Sequence, residues 1–149
     1  MRRIDEIARK HEAALLLLGR LLIAGLFLPD GLRKLAGLTG FAASLASRGV
    51  PVPGLMAPIA AIVVFVASAA ILIGFRTRFA SLLLIAFTII ASLVAHRFWE
   101  VADAAARQGQ AVQFWKNAAI LGGLFCLFVR GAGSFAVDPD TERPRLPQS

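Results

Sequence analysis

The sequence predicts an all-α integral membrane protein, a four-helix bundle with a short interfacial helix between its first and second spans. Three observations carry that expectation. Hydrophobic residues make up 58% of the 149-residue chain and mean hydropathy is +0.73, above the range of soluble globular domains. About 20 mostly apolar residues are needed to cross a bilayer as a helix, and four runs of that kind fit, at about 13–36, 55–75, 79–99 and 113–130. Finally, the third run closes on His96-Arg97-Phe98-Trp99-Glu100 and the fourth opens on Gln113-Phe114-Trp115-Lys116-Asn117. Aromatic and polar residues paired in this way mark a membrane–water interface.

Residues 1–12, MRRIDEIARKHE, place Ile4, Ile7 and Ala8 at helical spacing among charges, which predicts an amphipathic lead-in at the membrane surface. The apolar run that follows could be read as a secretory leader. Arg20 interrupts it, however, and no Ala-x-Ala-like site precedes Pro29, so it is expected to remain as span one. This span contains Arg20, Pro29, Asp30, Arg33 and Lys34. Pro29 removes a backbone donor and predicts a kink near the end. Asp30 and Lys34, four apart, share one face and predict an ion pair. A charge at mid-bilayer is unfavourable by about 2.5–3.5 kcal/mol on insertion scales, so Arg20 either snorkels to the near surface or makes an interior ion pair or ligand contact.

Residues 37–54 read as a short interfacial helix, with Phe41, Leu45 and Val50 toward the membrane, closed by Val50-Pro51-Val52-Pro53-Gly54. Span two is rich in small residues (Ala57, Ala61, Ala67, Ser68, Ala69, Ala70, Gly74) that permit close helix packing. Arg76-Thr77-Arg78 turns the chain into span three. There Ser81, Thr88, Ser92, His96 and Trp99 recur at intervals of seven, four, four and three, a stripe that should face protein. Gly122-Gly123 marks a close-contact point in span four. The membrane domain is thus expected over 13–133 and a polar, Pro-rich, disordered tail over 134–149. With the N-terminus inside, nine Lys and Arg lie on the cytoplasmic side and six on the other, which favours two cytoplasmic termini.

The net charge of +7 is scattered over span ends and forms no basic face for nucleic acid. The single cysteine, Cys126, excludes an internal disulfide or a dithiol relay and reads as a small packing residue. Two histidines, His11 and His96, do not make a bis-histidine haem site, and ligand sets for zinc or iron–sulfur clusters are missing. Serines without a paired base argue against nucleophilic hydrolysis, and no catalytic residue is assigned.

Taken in order, several motifs give a resemblance. They are Gly19-Arg20-Leu21-Leu22, Gly31 with Lys34-Leu35, Leu45-Ala46-Ser47-Arg48-Gly49-Val50-Pro51, Gly74-Phe75-Arg76-Thr77-Arg78, His96-Arg97-Phe98-Trp99, Phe114-Trp115-Lys116-Asn117, Gly122-Gly123 and Gly131-Ala132-Gly133. Their ordered combination, over about 14–138, resembles the DoxX family of small bacterial four-helix membrane proteins. The resemblance implies an inner-membrane location and association with redox enzymes, including quinone-coupled thiosulfate oxidation and oxidative-stress complexes. It also implies an acid in span two, where this chain has Val64, that would pair with a basic group such as Arg20. Asp30 is the acid of span one that would have to stand in for it.

An N-in topology brings Asp30, Lys34, His96, Trp99, Glu100, Lys116 and Asn117 to one outer interface, and Asp30, Lys34, His96, Trp99, Lys116 and Asn117 are the candidate binding residues. A quinone headgroup needs hydrogen-bonding groups at its two oxygens, a proton carrier and aromatic or apolar walls, and these residue types supply them. They form the candidate quinone or lipid site; interfacial anchoring is the plain alternative. The expected function is an accessory or anchoring subunit of a membrane-bound, quinone-linked redox complex without autonomous catalysis, its partners being membrane lipids and other subunits. The alternatives are a small-solute carrier, with Arg20 and Asp30 along an internal path, and a structural or stress-related assembly protein. The lack of a visible internal repeat weakens the carrier reading.

Overall fold

The computed structural model describes residues 2–138. Helix α1, Arg2–Lys10, is an exposed lead-in to α2, Glu12–Ala36; α3, Leu38–Ala46, follows after one residue. Helices α4, Pro53–Ile73, α5, Thr77–Ala95, and α6, Ala104–Arg130, complete the chain, with a single 3-10 turn at Phe98–Glu100 between α5 and α6. Four helices, α2, α4, α5 and α6, are long and apolar enough to cross a membrane. Among the described residues there is no strand.

The boundaries follow from local chemistry. Pro53 occupies the first turn of α4, where its missing N–H is no loss, and Val52 enters it in the left-handed region. Gly74 ends α4 at φ +75°, and a Cβ there would lie 2.6 Å from Ala136 Cβ and 2.8 Å from Arg20 Nη2, so only glycine fits. Helix α2 runs through Pro29 to Ala36. The fourth helix starts at Ala104, earlier than the span expected at 113. Asp103 caps it by accepting from Ala106 N at 2.8 Å, and three alanines follow. Arg107, Gln108 and Gln110 are polar, so the first turns are invisible to a hydropathy reading.

Helix α4 is the central element, packed against α2, α3 and α5. Its buried stripe, Ala57, Ala61, Val64, Ala67, Ser68 and Ile71, repeats every three or four residues and is small at most positions. Small residues let backbones approach where water exclusion cannot drive helix association. A close crossing lies at Gly31 of α2, where an added Cβ would be 2.8 Å from Phe65 N. Phe27, Val64, Ala67, Ile71, Ala80, Leu84, Ile85, Leu124 and Leu127 form the apolar core. Large apolar side chains such as Leu22, Val66, Ile90 and Val129 lie outward, more than half exposed. A water-soluble fold rarely presents so much contiguous apolar surface; a bilayer-embedded one requires it.

Phe41 and Leu45 of α3 are half-buried, with the Lys34 ammonium 5.3 Å from the Phe41 ring centroid. The tail expected over 134–149 begins as ordered chain. Val137 N donates to Ile73 O at 3.0 Å and Asp138 N to Gly74 O at 3.2 Å, so this stretch lies against the α4–α5 turn. The remainder of that expected tail, 139–149, lies outside the described residues.

Candidate functional site

Antiparallel connections bring the C-terminal end of α2, the C-terminal end of α5 and the first turns of α6 to one end of the bundle. The stripe on α5 organises this end. Ser81, Thr88 and Ser92 are all buried, as their spacing predicts. Thr88 Oγ1 donates to Leu84 O at 2.6 Å and Ser92 Oγ to Thr88 O at 2.6 Å, the usual way a hydroxyl is satisfied inside an apolar helix bundle. Thr77 and Ser81, at the start of the stripe, keep buried hydroxyls without a hydrogen-bond partner among the described residues.

Helix α6 faces this stripe with Gln110, Phe114 and Asn117, one face at intervals of four and three. Asn117 Nδ2 donates to Ser92 Oγ at 3.0 Å, and His96 Nδ1 lies 2.8 Å from Gln110 Oε1. With the amide oxygen accepting, His96 carries a proton on Nδ1 and, when neutral, offers Nε2 as an acceptor. Beside this pair Trp99, Phe98, Phe114 and Trp115 stand edge to face in series, neighbouring centroids 5.1–5.9 Å apart.

The six residues proposed from the sequence are only partly drawn together. His96 and Asn117 meet the same α5–α6 seam, and Trp99 caps it. Lys116 lies on the outer side of α6, exposed and bonded to Gln113 Oε1. Asp30 and Lys34 form the expected i, i+4 ion pair on α2, joined by Arg33 Nη2 at 2.7 Å from Asp30 Oδ1. Among the described residues no hydrogen bond joins this pair to His96 or Asn117. The bridge is aromatic: Lys34 Nζ lies 5.7 Å from the ring centroid of Phe87 on α5, which itself meets Phe27 edge to face.

Arg20 sits at the opposite end of the bundle, 1% exposed. Its Nε donates to Ile71 O at 2.8 Å, Nη2 to Leu72 O at 2.7 Å, and Nη1 to Ala132 O at 3.0 Å and to Phe135 O. The first two carbonyls belong to the last turn of α4, where Ile71 O receives only the Gly74 N at 3.2 Å and Leu72 O has no helical donor among the described residues. One guanidinium therefore caps α4 and fastens the chain beyond α6 to it. Arg20 is buried as an interior group would be, but its partners are backbone carbonyls and not the ion pair or ligand contact expected of one.

Comparison with known proteins places this architecture. The chain is 32% identical over 124 residues to the inner membrane protein YphA of Escherichia coli strain K12, covering 83% of this chain and 88% of the relative. It is 31% identical over 130 residues to the inner membrane protein YqjF of the same organism, covering 87% and 94%. The DoxX family model matches residues 15–97. The chain belongs to the DoxX family. No solved structure matches it significantly. The four spans and the two inner-membrane relatives support a multi-pass inner-membrane protein.

In this DoxX chain the acid partner that the resemblance implied for Arg20 has no counterpart. Val64 is fully buried in the apolar core, two turns or roughly 10 Å along α4 from Ile71, and Arg20 meets backbone carbonyls instead. Asp30 does not stand in either, being paired with Lys34 and Arg33. The residue that sequence reasoning missed at the seam is Gln110. Reading α6 from the Asp103 cap would have put Gln110, Phe114 and Asn117 on one stripe and found it.

Proposed function

We propose that this DoxX protein is an accessory or anchoring subunit of a membrane-bound, quinone-linked redox complex in the bacterial inner membrane. The supporting observation is the poor use of α6 within its own bundle. Of its 27 residues only Leu124 and Leu127 are buried. The outward face carries Trp115, Ala119, Gly122, Cys126 and Val129 at helical intervals, all exposed, small in the middle and bulky at the ends. A side chain at Gly122 would meet nothing within 4 Å, so the groove lies open to a neighbouring helix. The described connections between spans are short, too small for a catalytic domain of their own, which suits a dependent role.

The redox part of the proposal rests on the DoxX resemblance and on the chemistry of the α5–α6 seam. His96 Nε2 can accept from a quinol hydroxyl when neutral and donate to a quinone carbonyl when protonated, and Asn117 supplies a second polar contact beside the Trp99 and Phe114 rings. Arg20, with its donors bound to carbonyls, serves assembly better than a solute path, which disfavours the carrier alternative.

The test uses Gly122→Leu, whose Cβ would meet nothing in the bundle within 4 Å. Partner polypeptides recovered with the tagged chain from native membranes should fall severalfold while its own yield and helical content stay unchanged. Equal recovery of partners with Gly122→Leu would remove α6 as the contact. For the seam, His96→Ala should lower the quinone that co-purifies; unchanged quinone content would sink that assignment.

A further inference from the structure

Two motifs singled out in the sequence, Leu45 to Pro51 and His96 to Trp99, are far apart in the chain yet meet in the fold. Arg48 Nη1 donates to Ala95 O at 3.0 Å, covering the C-terminal end of α5, and Arg97 Nη2 donates back to Arg48 O at 2.8 Å. The reciprocal latch draws two guanidinium groups to one open groove of about 520 Å³, whose walls include Ser47, Gln110, Val94 and Val101. Like charges brought together in this way repel. Among the described residues the only carboxylate lining the groove is Glu100, whose oxygens stand 3.2 and 3.3 Å from Arg97 Nη1. Among the described residues no carboxylate pairs with Arg48, so the groove keeps a net positive charge.

We propose that this groove binds a phosphate group, and that its source is the headgroup of an anionic phospholipid. Both forks are already held by backbone carbonyls, so little side-chain freedom remains to be lost on binding. Arg48 Nε also lies 3.4 Å from Ser44 Oγ and Arg97 Nη1 faces Glu100, which among the described residues leaves Arg48 Nη2 and Arg97 Nε as the unengaged nitrogens to donate to phosphate oxygens. Ser47 and Gln110 add neutral hydrogen-bonding groups, and Val94 and Val101 give an apolar wall where a glycerol backbone would run toward its acyl chains. The groove lies beside the Phe98–Trp99–Phe114–Trp115 belt, the level at which headgroups lie in a membrane. A free phosphate ester shares the chemistry but makes no use of the apolar wall or of this depth. The site is separate from the α6 groove, so its test and that of the accessory role fail independently.

The full chain in mild detergent is titrated with phosphatidylglycerol, phosphatidylcholine and inorganic phosphate, and bound lipid is counted by native mass spectrometry. Phosphatidylglycerol should bind about tenfold or more tightly than phosphatidylcholine, and Arg48→Gln or Arg97→Gln should remove that preference. Glu100→Gln leaves both carbonyl contacts in place and raises the groove charge, so it should tighten phosphatidylglycerol binding severalfold. Arg33→Gln, an equal charge change at the same end of the bundle, should alter nothing. Competition by millimolar inorganic phosphate supports the phosphate contact itself, and binding of lipid without such competition supports the headgroup together with its wall. Equal binding of the two lipids, an equal loss with Arg33→Gln, weaker or unchanged binding with Glu100→Gln, or saturation by inorganic phosphate with no lipid bound would each overturn the proposal.

Discussion

Replacing Arg20 by Met keeps most of the apolar stem and removes the fork, which isolates what the guanidinium does. Three carbonyls, those of Leu72, Ala132 and Phe135, lose their donor, and a fourth, Ile71 O, keeps only the Gly74 N at 3.2 Å. A buried polar group left without its partner is unfavourable by about 1–3 kcal/mol. These losses are not additive, because water reaches a helix end once the plug is gone, and an ion of this kind carries its own desolvation penalty of several kcal/mol, which the substitution relieves. A net destabilisation of about 2–4 kcal/mol follows from those opposing effects. Arg20→Lys keeps the charge, but a compact ammonium cannot span two carbonyls of α4 and two beyond α6, so about 1–2 kcal/mol should be lost. Reversible unfolding in detergent micelles gives the magnitude. Amide hydrogen exchange at Val137 and Asp138 gives the mechanism, since their bonds to Ile73 and Gly74 lie beside the plug. Wild-type stability in Arg20→Met, within about 0.5 kcal/mol, with both amides still protected, would refute the capping role.

Two further substitutions probe the packing. Gly31→Ala would put a methyl 2.8 Å from Phe65 N and 2.9 Å from its Cα, so α2 and α4 must part. The expected loss is about 1–3 kcal/mol, read as a lowered unfolding midpoint, and an unchanged midpoint would mean the two helices are not in such close contact. Arg130→Gln breaks an ion pair with Glu12 in which the arginine side chain is 56% exposed. Such a pair contributes about 0–1 kcal/mol, so stability should barely change, and a larger fall would show that the pair is shielded from solvent.

The spans were legible because the bilayer sets their length, and the α5 stripe because helical periodicity puts Ser81, Thr88 and Ser92 on one face. The Asp30–Lys34 pair was equally legible, being local. Arg20 was not. Its partners lie 51 to 115 residues away and are backbone carbonyls, which leave no trace in side-chain identity. The same applies to residues 135–138, counted with the polar tail although only Asp138 among them is polar, where the Val137 and Asp138 amides pair with backbone carbonyls of the α4–α5 turn. Lys116 and Asn117 are neighbours in sequence and therefore about 100° apart around α6, so one faces α5 and the other faces out. Gly122-Gly123 was expected at a close contact; a Cβ added at Gly123 would lie 3.8 Å from Ile23 Cδ1, an ordinary contact, and one at Gly122 would meet nothing within 4 Å.

The accessory role is tested most directly by native mass spectrometry of the chain purified from its own membranes in mild detergent, recording intact mass and every bound polypeptide. The account predicts stoichiometric redox subunits that leave when Gly122 is filled. A bare monomer or homo-oligomer, unchanged by Gly122→Leu, would contradict it.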